Sequence, residues 1–117
     1  MIRQVLIALA LTSAASAQEG LSTVDAQAQV TANADCQRSD YPHLATVIYA
    51  CDRGLTFWYF TVPSENVPPG YIRRSIVARD GSTYIETNGH YDGTDAQEAD
   101  FFAWSRRLEA AILANSR

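Results

Sequence analysis

The run LTFWYFTVP, residues 55–63, constrains the fold more than any other stretch, because Phe57, Trp58, Tyr59 and Phe60 are four consecutive aromatics. A strand sends successive side chains to opposite faces. A strand here puts large rings on both faces of its sheet, and each face then needs a cover.

The flanking segments read as the rest of that sheet. ATVIYAC, residues 45–51, is β-branched and aromatic enough for a strand. Asp52, Arg53 and Gly54 then fit a three-residue loop, a type I turn closed by a left-handed Gly in a bulge. That register sets Cys51 opposite Leu55, Tyr49 opposite Phe57 and Val47 opposite Tyr59. Ile48 then faces Trp58, and Thr46 faces Phe60, on the other side. A two-residue loop would shift the register and exchange the faces. Pro63 ends the strand, and Pro69-Gly70 fits the middle of a type II turn. Residues 71–79, YIRRSIVAR, and 82–88, STYIETN, are strands joined by the hairpin signal Asp80-Gly81. This turn pairs Ile76 with Ile85, Val77 with Tyr84 and Ser75 with Glu86.

A helix follows. Asp95 with Glu98, or Thr94 with Gln97, suits a capping box. Phe101, Trp104, Leu108, Ala111 and Ile112 form one apolar stripe. The expected fold is α+β, a four-stranded antiparallel β-meander with one C-terminal helix packed on one face. An Ala-rich N-terminal arm precedes it. The helix is assigned to the face of Ile48, Trp58, Phe60, Ile72, Ile76 and Ile85, with Trp58 meeting Trp104.

The arm is ambiguous. Residues 24–35, VDAQAQVTANAD, alternate as a half-buried strand does. Their Ala content favours a helix, with Leu21, Val24, Ala28 and Ala32 as its stripe. A mobile extended arm is the third reading.

The first residues have the order of an export signal. Arg3 supplies the positive end, residues 5–11 are an apolar run too short to span a bilayer, and SAASA suits cleavage after Ala17. The organisation expected is signal peptide 1–17, flexible or weakly ordered arm 18–35, and a single α+β domain 36–117. The exported chain would be periplasmic or extracellular, with no stable membrane anchor. In such a compartment Cys36 and Cys51, the two cysteines of the chain, pair as a disulfide. Without Arg3, eight Arg and no Lys stand against thirteen acids, a net charge of −5. That balance speaks against a nucleic-acid partner.

Motifs of catalysis are thin. The chain contains no nucleophile elbow, zinc-protease helix or phosphate-cradling loop. His43 and His90 read as solvated loop residues. Asn88, Asp92, Thr94 and Asp95 could offer oxygens to a hard cation, but a turn and helix cap explain the same residue types. Glu86 and Asp100 are explained by a surface ion pair with Arg73 and by the helix dipole. No cofactor or metal is expected. What remains is a surface of Tyr59, Tyr71, Arg73, Tyr84 and Glu86, rich in residue types that dominate binding sites. The expectation is a small non-catalytic binding or inhibitor-type protein that meets a protein partner, or a second copy, through this open sheet face. The alternative is a small periplasmic hydrolase or carbohydrate-active enzyme using Glu86, His90, Asp92 or Asp100.

Overall fold

The computed structural model describes residues 21–115, so the apolar run 5–11 and the cleavage expected after Ala17 lie outside the described residues. Helix α1 spans Thr23–Thr31. Five strands follow: β1 Gln37–Tyr41, β2 Thr46–Cys51, β3 Thr56–Thr61, β4 Gly70–Arg79 and β5 Ser82–Tyr91. Helix α2, Glu98–Asn115, ends the described chain. The strands pair antiparallel in the order β1-β2-β3-β4-β5, a plain meander. The fold is therefore α+β, with five strands instead of four. The added strand, QRSDY, is exposed along its whole length and has no apolar alternation to reveal it. It holds its place by pairing with β2, beside the disulfide that links Cys36 to Cys51.

The β2–β3 register differs from expectation by one residue. Cys51 lies opposite Thr56, Tyr49 opposite Trp58, Ile48 opposite Tyr59 and Val47 opposite Phe60. The connecting loop has four residues, because Asp52 and Arg53 as well as Gly54 adopt positive φ. Asp tolerates this region through local hydrogen bonding, and here the Thr56 hydroxyl donates to its carboxylate at 3.1 Å. One extra loop residue exchanges the faces of β3. Trp58 and Phe60 join Tyr49, and Phe57 and Tyr59 join Ile48.

Each face has its own core. On one, Ala26 and Val30 of α1 pack on Val47, Tyr49, Cys51, Trp58, Phe60 and Tyr71. On the other, Phe101, Trp104 and Leu108 of α2 pack on Tyr59 and Val67, with Ile48, Phe57 and Ile72 beside them. Trp58 and Trp104 are both buried, but they lie on opposite faces and do not meet. Phe60 likewise sits under α1, and Ile76 and Ile85 remain exposed beyond the reach of α2. The ambiguous segment 24–35 is resolved: its first part is helical, N-capped by Ser22, whose hydroxyl accepts from Asp25 N–H. Its buried residues are Thr23, Ala26 and Val30, so the stripe is one residue pair out of phase with the expected one, and Val24 is 74% exposed.

The β4–β5 hairpin has the expected register, including Ile76 with Ile85, Val77 with Tyr84 and Ser75 with Glu86. Asp80 and Gly81 both have positive φ, as a two-residue type I′ turn requires. Gly70 is no turn residue, since it opens β4 without positive φ. The start of α2 uses the Thr94 frame: Gln97 reaches back to accept from Thr94 N–H at 2.9 Å in a capping box.

Candidate functional site

The five residues singled out in the sequence do not form one surface. Tyr59 lies on the α2 face, buried beside Trp104 and Leu108. Burial pushes its phenol pKa up, and Arg74 offsets part of the shift. Tyr71 is buried on the other face, its ring 5.6 Å from both Trp58 and Phe60. Its hydroxyl donates to the Leu21 carbonyl at 3.2 Å, tying down the approach to α1. Arg73 lies with its guanidinium 5.5 Å from the Trp58 ring centre, a cation–π geometry. Glu86 pairs with Arg79 at 2.5 Å, in place of the expected Arg73. Tyr84 is the exposed member of the group, facing Val77 across the hairpin.

Four of the five nevertheless sit on one element, the β4–β5 hairpin. Its strands have ten residues each, whereas β2 and β3 have six. The pairing of β3 with β4 stops at Thr56 and Ser75. Ile76 N–H still donates to the Leu55 carbonyl at 2.8 Å, and the three hairpin pairs from Val77–Tyr84 to Arg79–Ser82 continue past the sheet. At ~3.4 Å per residue this is a two-stranded projection of about 10 Å, with Ile76–Ile85 at its base. Ile76 and Ile85 are exposed on its α2 side, and Tyr84 on the other, at 41%, 61% and 49% respectively. Among the described residues, the outer edge of β5 has no neighbour in the sheet.

His90 belongs to the end of β5, not to a loop. Its Nε2 is 2.8 Å from Asp92 Oδ1, and Asp92 Oδ2 accepts from Thr23 N–H at 2.6 Å. Burial raises the Asp92 pKa, but Thr23 and His90 outweigh it and hold the carboxyl below its ordinary value. Both carboxylate oxygens are thus engaged in fastening the first residue of α1 to the end of the hairpin. This accounts for the His–Asp contact without a catalytic base. Glu86 and Asp100 are on opposite sides of the sheet, since Glu86 shares the α1 face and Asp100 rides on α2. They do not form a carboxylate pair. Thr94 serves as the helix cap and Asp92 as the tether, and among the described residues no group of three His, Cys, Asp or Glu could hold a metal ion. Among the described residues, no helix is long and apolar enough to cross a membrane.

Two of the surface hollows lie where a helix and the sheet meet. A groove of about 480 Å³ runs beside the last turns of α2, with Ile48, Phe57, Tyr59, Leu108 and Ile112 among its walls and Tyr41 and His43 adding polar atoms. A smaller one of about 190 Å³ lies beside the disulfide and is lined mostly by polar side chains. The sequence did not reveal either, because each is assembled from a helix and strands whose mutual placement no local pattern carries. No protein-family model matches the chain, and it has no significant similarity to any curated protein or solved structure.

Proposed function

We propose that this chain is an exported, disulfide-bonded binding protein that recognises another protein without catalysis, through the projecting β4–β5 hairpin. The observation that carries the reading is the combination of exposed Ile76, Tyr84 and Ile85 with an outer edge on β5 that no strand among the described residues pairs. A free strand edge offers main-chain donors and acceptors in a row, and a partner strand can extend the sheet there. The alternating side chains then supply selectivity: Ile85 on one face, Tyr84 and Glu86 on the other. Export is supported by the order of charge, apolar run and small residues in positions 1–17, and the disulfide is compatible with an oxidising compartment.

The test is a comparison of the wild-type chain with a Tyr84→Ser, Ile85→Lys double variant, both exported and purified from the envelope. The positions are exposed, so the variant is expected to fold with little loss of stability. Wild type cross-links to a partner from envelope extract through a photoreactive group placed at position 83, and the variant loses that cross-link. If the variant captures the same partner equally well, the hairpin is not the binding surface. Retention of the full 117 residues in the cytoplasm would overturn the export part of the reading separately.

A further inference from the structure

The smaller hollow, beside the disulfide, is bounded by Gln29 and Asn33 from the α1 side and by Asp52, Thr56, Trp58 and Arg73 from the sheet side. We propose that it binds a small zwitterion of the α-amino-acid type, with the ligand's carboxylate on Arg73 and its ammonium group on Asp52. This goes beyond the hairpin reading and does not rest on it.

The two charges of opposite sign are both held in place. The Arg73 guanidinium lies over the Trp58 ring, which orients its planar fork, and such a fork matches a carboxylate bidentately. The Asp52 carboxylate accepts from the Thr56 hydroxyl at 3.1 Å, and Asp52 N–H donates to Asp35 at 3.1 Å. The carboxylate is therefore positioned at the mouth of β3 by its own loop. An anion in this hollow would meet Asp52, and a cation would meet Arg73. A ligand carrying both signs meets each with its opposite. The carboxamides of Gln29 and Asn33 each offer donors and acceptors, which also suits a dipolar guest. The volume of about 190 Å³ lies below the roughly 300–1,000 Å³ of pockets for drug-sized ligands, which limits the guest to a small molecule.

The experiment is titration of the purified chain, disulfide intact, followed by calorimetry and by amide shifts in NMR. The probes are glycine, alanine and serine, with acetate, methylammonium and glucose as comparators. At least one amino acid is expected to saturate below about 20 mM, and each comparator to bind at least about tenfold more weakly. Shifts are expected to centre on Asp52, Thr56 and the Trp58 indole. Asp52→Asn keeps a residue that accepts positive φ and can still bond Thr56, so the loop persists. It is expected to weaken amino-acid binding about tenfold or more while leaving any acetate binding unchanged. Arg73→Gln is expected to remove both. Absence of saturation by all three amino acids overturns the proposal. So does acetate or glucose binding as tightly as the amino acid, or an Asp52→Asn variant that binds like wild type. None of these outcomes involves a protein partner, so the hairpin reading is unaffected by them.

Discussion

Trp104 shows how much of the α2 face hangs on a single side chain. It is fully buried, and its indole N–H donates to Thr46 Oγ1 at 2.9 Å while that hydroxyl donates to the Leu44 carbonyl at 2.8 Å. The ring thus fills the core and completes a polar chain that leads to the loop before β2. Trp104→Ala is expected to cost about 3–5 kcal/mol in urea unfolding, and Trp104→Phe about 1–2 kcal/mol, the part owed to the lost hydrogen bond and ring volume. A loss near zero for Trp104→Phe would show that the bond to Thr46 contributes nothing. Gly70 is a second residue with a specific reason for its identity. A Cβ there would sit 2.6 Å from Phe101 Cε1 and 2.8 Å from the His90 carbonyl. The backbone cannot retreat, because Gly70 N–H donates to Thr61 Oγ1 at 2.9 Å. Gly70→Ala is expected to destabilise by about 1–3 kcal/mol, as overpacking does. A change near zero would mean that α2 can shift on the sheet.

At the scale of elements, α1 is the least self-sufficient. Nine residues are too few for an isolated helix in water. It buries Ala26 and Val30 over four large rings, so little of its stability comes from its own apolar area. Polar ties compensate at both ends. Asp92 receives Thr23 N–H at the start, and near the end the Tyr49 hydroxyl lies 2.9 Å from Thr31 Oγ1. The pH dependence follows from the lowered Asp92 pKa. A carboxyl whose folded pKa is depressed contributes stability that is complete above its ordinary value, here 3.8, and is lost as pH falls through the lower folded value. Wild type is therefore expected to lose α1 docking in acid, below about pH 4, and Asp92→Asn to show a smaller drop over the same interval. Amide exchange of residues 24–31 at neutral and acid pH measures it. An Asp92→Asn variant with the wild-type pH response would remove Asp92 from the tether.

At the scale of the molecule, geometry sets what can be covered. Five strands at ~4.8 Å spacing make a sheet about 24 Å wide, and a helix with its side chains is about 10–12 Å across. One helix per face therefore covers roughly half of it. The covered half is centred on β3, whose residues are all buried or half-buried. The uncovered remainder is the hairpin on one side and the groove beside α2 on the other. Backbone amides of β3 are expected to exchange slowest in the chain, and those of residues 77–84 among the fastest. The reverse order would contradict the layered arrangement. The disulfide joins the end of the α1 connection to the sheet across 15 positions of sequence. Replacing both cysteines by Ala is expected to cost about 2–4 kcal/mol in denaturant unfolding, with a loss below about 1 kcal/mol showing that the reduced chain holds the same edge by β1 pairing alone.

The sequence by itself determined the α+β class, the disulfide, the C-terminal helix with its stripe, and the hairpin register at Asp80-Gly81. Each of these is a local property: a periodicity, a turn dipeptide with positive φ, or two cysteines with no others to compete. The tertiary structure decided the rest. Whether Trp58 looks toward α1 or α2 depends on one loop residue, because strand faces alternate with a period of two. The backbone of Asp52 and Arg53, held by Thr56 and Asp35, made that choice, and the five-residue binding face read from the other parity came apart with it. Strand β1 was invisible because its order comes from a neighbour and a covalent link, not from its own side chains. The polar hollow beside the disulfide could not be read at all, since Gln29 and Arg73 line one hollow only because a helix lies on a sheet, and a juxtaposition of that sequence separation leaves no pattern in the chain.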